Sequence, residues 1–230
     1  MLGFLKGFLS PKGLNLLPSF SQPEGQMMNF TGAAKRLDDI DLPKIGRLIG
    51  VGEDEIHAIL DVESRGKGFD SENRPIILFE PHIFYKQLSA NDPKKLQTAM
   101  SQGLAYPKWG QSPYPSDSYP RLKKAILINE DLALKSASWG LGQIMGFNYS
   151  MAGYSSVKEM VEKFKQDEEE HLLAMVRFII SAGLDDELRR HDWVGFARGY
   201  NGPGFAKNGY DKKLAASFAK WQKIKDTPYP

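Results

Sequence analysis

A carboxylate sits where a core residue is due. In Glu53-Asp54-Glu55-Ile56-His57-Ala58-Ile59-Leu60-Asp61-Val62-Glu63 the apolar residues Ile56, Ile59 and Leu60 recur at helical spacing, and Glu63 takes the next position of their stripe. Gly66 and Gly68 mark the helix end one turn later. Partial burial and the negative end of the helix dipole both disfavour an ionised carboxyl, so the pKa of Glu63 is expected to be raised. A carboxyl that stays neutral near pH 7 can donate a proton. The competing reading is a frayed helix end at which Glu63 pairs with Arg65 or Arg74. Glu53, Asp54 and Asp61 fall on the expected solvent side and carry no such message.

Two further stretches could grip a polar ligand. Ala137-Ser138-Trp139-Gly140-Leu141-Gly142-Gln143-Ile144-Met145-Gly146 replaces side chains with glycines, which lets a groove wall approach a ligand closely, and Gln143 can both donate and accept. A dinucleotide loop is excluded because Gly140 and Gly142 follow no predicted strand and lack the third glycine. In Tyr200-Asn201-Gly202-Pro203-Gly204 a hydroxyl and an amide stand at a sharp turn, although a plain helix stop has the same composition.

The elements that must position these residues are mostly helical. Asp41 caps a predicted helix with Pro43 in its first turn and Ile45, Leu48 and Ile49 on its apolar face. The Glu63 helix follows. Phe69-Asp70, a turn at Ser71–Pro75 and Ile76–Glu80 then read as a two-stranded hairpin, a flap on the helical body. Helices are expected from Pro81 and from Asn91-Asp92-Pro93, and then comes an aromatic loop, Gly103–Asp117, with Tyr106, Trp109 and Tyr114 among prolines. Such aromatics either stack on sugar rings or plug the surface. Further helices run through Leu122–Leu134, from the Ser156/Glu159 capping box, through the nearly all-apolar Leu172–Ile180, which should be central, from Asp192, and from Asp211 to Ile224.

Residues 1–40 differ. Leu2, Phe4, Leu5, Phe8 and Leu9 alternate with Gly3, Lys6 and Gly7, and no acid precedes Glu24. The segment is an amphipathic, then extended, arm: in weak contact with a membrane, docked on the domain, or disordered ahead of an alternative start at Met28. It lacks the apolar run and cleavage site of a secretory signal. Residues 41–230 read as one domain. Net charge is only +2, which argues against a dedicated nucleic-acid binder, and with no cysteine a disulfide framework or thiolate metal site is impossible. No apolar run reaches membrane-span length, so a soluble chain is expected. His57, His82, His171 and His191 have no zinc-type spacing and read as structural or surface residues; no metal or other cofactor is expected.

Taken in order, Glu63-Ser64-Arg65-Gly66, Trp139-Gly140-Leu141-Gly142-Gln143-Ile144 and Gly199-Tyr200-Asn201-Gly202-Pro203-Gly204 resemble the lysozyme superfamily, most closely the phage endolysin-type N-acetylmuramidases and more distantly goose-type lysozymes and soluble lytic transglycosylases. Leu78-Phe79-Glu80-Pro81-His82-Ile83-Phe84 is similar to the muramidase branch in particular. The resemblance spans roughly Gly52 to Trp221 and implies a mainly α (α+β) lysozyme-like fold with a small β flap. It implies peptidoglycan glycan strands as substrate, Glu63 as the general acid at the bond between N-acetylmuramic acid and N-acetylglucosamine, and Trp139, Gly142, Gln143, Ile144, Tyr200 and Asn201 along the groove.

Glycosidases of this kind pair the acid with a second carboxylate, about 5–5.5 Å away as nucleophile or about 6.5–9.5 Å away as base. Asp70, Glu72 and Glu80 are available on the flap. Glu80 is the choice here, and a structural Glu80 capping the helix at Pro81 is its alternative. With no second acid the muramyl hydroxyl would attack instead, the transglycosylase outcome; a wall-binding module without catalysis is the remaining rival. A monomer made in the bacterial cytoplasm and acting in the periplasm is expected, by an export route the sequence does not reveal.

Overall fold

The computed structural model describes residues 28–64 and 66–229, so the amphipathic start of the arm and Arg65 lie outside the described residues. Helices α1 (Asp41–Arg47) and α2 (Glu53–Glu63) lead into strand β1 (Ile77–Phe79). Helices α3 (Pro81–Asn91), α4 (Pro93–Ser101), α5 (Tyr119–Ile128) and α6 (Glu130–Lys135) follow, then strands β2 (Ala137–Trp139) and β3 (Ile144–Met145). The chain ends with α7 (Val157–Phe164), α8 (Glu168–Ser181), α9 (Asp185–Arg189), α10 (Trp193–Asn201), α11 (Phe205–Asn208) and α12 (Tyr210–Trp221). The fold is mainly helical with one small sheet, and no described helix is long and apolar enough to cross a membrane.

Helix α8 is the central element. Asp167 caps it by accepting from Glu169 N–H, and Glu168–Glu170 complement the positive end of its dipole. Leu172, Ala174, Met175, Val176, Phe178 and Ile179 are buried, while Ile180 points outward. His171 is fully buried on the same helix. Its Nε2 lies 2.8 Å from the Phe164 carbonyl and its Nδ1 accepts from Leu141 N–H. Burial pushes the imidazole down to about 4, so it is a neutral strut holding the glycine-rich hairpin against α8. Gly140 has φ +67°, and a Cβ there would lie 2.7 Å from His171 Nδ1, so only glycine fits.

The sheet differs from the expected hairpin. Phe69 and Pro75 make only an isolated bridge, whereas β1 pairs antiparallel with β2, Ile77 opposite Trp139 and Phe79 opposite Ala137, and β2 pairs with β3. The flap is a three-stranded sheet, order β1-β2-β3, in which β1 pairs with a strand about sixty residues away and β2–β3 is a local hairpin. Asp70 explains why residues 70–75 turn instead of extending: its carboxylate accepts from the backbone N–H of Glu72 and Arg74 and from Arg74 Nε.

Helix α2 is held by α12. Asp61 Oδ2 accepts from Ser217 Oγ at 2.7 Å and Trp221 Nε1 at 2.9 Å, and the His57 ring stacks on Trp221 with centroids 3.6 Å apart. Glu53 accepts from Thr227 N–H. These two acids therefore do not face solvent as expected, because the C-terminal segment covers that side of α2. The described part of the arm, residues 28–40, lies on the body: Phe30 is buried against Tyr119 and Trp139, and Lys35 bridges to Asp167.

Candidate active site

Glu63 ends α2 and is met by the end of another helix. Asn201, the last residue of α10, donates from Nδ2 to Glu63 Oε1 at 2.7 Å. Burial raises the Glu63 carboxyl to about 7, outweighing the Asn201 hydrogen bond and the Lys213 charge, which both act to lower it. Near neutral pH the group is therefore divided between a proton donor and its conjugate base, the condition that suits general acid catalysis. Asn201 Oδ1 is buried and has no hydrogen-bond partner, which leaves an acceptor facing this corner. The alternative pairing with Arg74 is absent: that guanidinium is engaged by Asp70, Glu72 and Asp117.

The α10 helix brings two expected residues into place at once. Asp192 caps it by accepting from Gly195 N–H, and it stops at Gly202 with φ +77°. Consecutive helical residues project about 100° apart, so Asn201 turns to Glu63 while Tyr200 turns to the β2–β3 hairpin. The Tyr200 hydroxyl donates to the Gly142 carbonyl at 2.7 Å, and its ring is stacked on Phe196. Burial and the Glu63 charge hold the Tyr200 hydroxyl well above its ordinary range, so it remains a donor. A Cβ at residue 142 would come 3.0 Å from that hydroxyl and from the Met175 side chain, which gives Gly142 its role: close approach of backbone to Tyr200. Glu63, Asn201, Tyr200 and Gly142 thus form one connected wall.

Three other expected groove residues are placed differently. Trp139 is fully buried, donates from Nε1 to the Leu134 carbonyl, and packs on Phe30; it is core and cannot touch a glycan. Ile144, opposite it in the sheet, is likewise buried. Gln143, at φ +47°, spends its amide inside the hairpin, donating to Gly140 and Ile76 carbonyls and accepting from Ser138 Oγ. It shapes the wall without presenting its full donor and acceptor set.

Glu80 precedes α3 as its N-cap residue but makes no side-chain cap bond. Its carboxylate instead accepts from the Tyr114 hydroxyl of the aromatic loop and lies 3.2 Å from His82 Nδ1. Asp70, the other flap acid with a fixed geometry, is consumed by its turn and by Arg74. Tyr210, the first residue of α12, links the two carboxylates electrostatically: its hydroxyl is raised by burial and by both Glu63 and Glu80. Tyr210 and Lys213 carry no sequence signal that singles them out, and Tyr114, noted only as one aromatic of the proline-rich loop, acquires its contact with Glu80 through tertiary structure. Among the described residues no cluster of three or more His, Asp or Glu could hold a metal ion.

Residues 53–222 match the family model described as N-acetylmuramidase. The crystal structure of the Burkholderia AP3 phage endolysin is 36% identical, with a TM-score of 0.72, over 83% of this chain and 73% of that one. No curated protein matches the chain. Since the family model spans most of the sequence and the solved endolysin shares its fold, the chain belongs to the N-acetylmuramidase family and is a peptidoglycan-cleaving glycoside hydrolase.

Proposed function

We propose that the enzyme cleaves the β-1,4 bond between N-acetylmuramic acid and N-acetylglucosamine, with Glu63 as general acid and Glu80 as the second carboxylate. The observation that carries this reading is the Glu63 carboxyl: burial raises it to about 7, and Asn201 holds it at 2.7 Å. Protonated, it delivers its proton to the leaving glycosidic oxygen as the bond breaks and the sugar becomes oxocarbenium-like. Glu80, whose charge reaches Tyr210 as that of Glu63 does, stabilises that charge or activates the entering water. Gly142, Gln143, Tyr200 and Asn201 form the wall along which the strand lies, and no cofactor takes part.

The endolysin likeness supports a lytic role in phage or prophage release, with synthesis in the cytoplasm and action on the wall in the periplasm, by a single chain without nucleic acid. Glu63→Gln preserves shape but cannot protonate the leaving oxygen, so lysis of permeabilised Gram-negative cells should fall by about 10³-fold or more with the fold intact; full activity would end the assignment. Mass spectrometry of released muropeptides tests the bond and the outcome. N-acetylmuramic acid reducing ends are expected, whereas 1,6-anhydro ends would make the enzyme a lytic transglycosylase.

A further inference from the structure

The loop between α4 and α5 acts on Glu80. Tyr114, 34 residues away in sequence, donates its hydroxyl to Glu80 Oε2, while His82 Nδ1 lies near the same oxygen without hydrogen-bond alignment. The loop is braced to hold that hydroxyl still. Pro113 and Pro115 fix φ on either side of Tyr114. Arg121 of α5 donates to Ser112 Oγ at 3.2 Å and to the Pro113 carbonyl at 3.3 Å. At the loop tip the Lys207 ammonium of α11 stands 6.0 Å from the Trp109 ring. The loop is thereby tied to both walls, to the flap through Glu80 and to the α10–α12 side through Lys207.

We propose that Tyr114 is a positioning residue for the muramidase reaction: its hydroxyl, fixed by the proline-rich loop, holds the Glu80 carboxylate in the orientation needed opposite Glu63. The inference rests on the reading of Glu80 as the second carboxylate. Three features support it. The Tyr114 hydroxyl is pushed far above its ordinary range, first by burial and then by Glu80, so it keeps its proton and remains a donor to that carboxylate. A donated hydrogen bond restricts the rotation of the carboxylate, which a nucleophile or base requires. The alternative use of Glu80, capping α3, is not made. The other charged or titratable groups around this carboxylate are His82 beside it, Tyr210 from α12, Lys86 behind His82 and Arg121 behind Tyr114.

The test compares Tyr114→Phe with Glu80→Gln in the full chain, following muropeptide release from purified peptidoglycan across pH and checking the fold by circular dichroism. Tyr114→Phe removes one oxygen from a half-buried ring, so the fold should persist. The expected result is a kcat about tenfold lower with KM within about twofold, since the lost bond acts on the reacting group and not on sugar binding. A loss confined to kcat with KM preserved is a split that a merely structural residue would not cause. Glu80→Gln should lose about 100-fold or more. An inactive Glu80→Gln beside a Tyr114→Phe with unaltered kcat would overturn the positioning role while leaving Glu80 in place. An active Glu80→Gln would overturn the role of Glu80, and that of Tyr114 with it.

Discussion

The two ends of α2 both bring carboxylates into crowded surroundings, with opposite results. At the N-terminal end Glu55 Oε2 accepts from Gly52 N–H at 3.0 Å and Oε1 lies 2.7 Å from His191 Nε2, while Glu53 Oε1 accepts from Thr227 N–H at 2.6 Å. The helix dipole there also favours negative charge. A cavity of about 460 Å³ opens beside them, lined by Arg47, Glu55, Arg189, His191 and Tyr229 among others. At the C-terminal end Glu63 has one hydrogen bond, an adverse dipole and a carboxyl raised to about 7. The hollow at the N-terminal end therefore lies against acids whose carboxylates are already engaged in holding the fold. A carboxylate short of donors is the one whose proton is held near neutral pH, and here it is Glu63 and not the acids beside the cavity.

Exchanging the acids one at a time would break or sharpen this contrast. The largest difference should be in turnover: Glu55→Gln should keep lytic activity per folded molecule within about twofold, against the loss of about 10³-fold set out for Glu63→Gln. If Glu55→Gln were equally inactive, the two ends would not be distinct. Stability should change in opposite senses. Glu55→Gln removes charge-assisted contacts to Gly52 N–H and His191 and should cost about 1.5–3 kcal/mol in urea unfolding. For Glu63 the folded value of about 7 lies above the ordinary 4.5, so its stabilising neutral form is fully present below pH 4.5 and lost as pH rises through 7. The stability of Glu63→Gln relative to the parent should therefore climb between those limits and level off above them, by at most roughly 3 kcal/mol. The smallest effect belongs to Asn201→Ala. The amide lowers the Glu63 value, so its removal should move the alkaline limb of activity to higher pH and reduce kcat about tenfold; a shift to lower pH would contradict the assigned hydrogen bond.

Glu63 was legible from sequence because its signal is local: a helical stripe with one polar intruder, closed by glycines. The caps at Ser156 and Asp192 and the buried character of α8 were legible for the same reason. Misreadings arose where meaning depended on distant partners. Residues 69–80 have hairpin composition, but Asp70 closes a turn on itself and β1 finds its partner at Ala137–Trp139. Trp139 beside glycines looks like a ligand platform until Phe30, from the arm assigned to a separate segment, is seen against it. Periodicity tells which face of an element is apolar; it does not tell which element covers that face, and Tyr114 on Glu80 is of the same kind.

The lock between α2 and α12 has a consequence for how the enzyme is made. Asp61 bonds to Ser217 and Trp221 across 156 and 160 residues, so the helix carrying Glu63 is synthesised well before the helix that clasps it. Contacts of such long sequence separation form late because the intervening chain must first be ordered. A truncated product ending before α12 would lack the clasp on the helix that carries Glu63, so the seating of that carboxyl waits on residues more than 150 positions away.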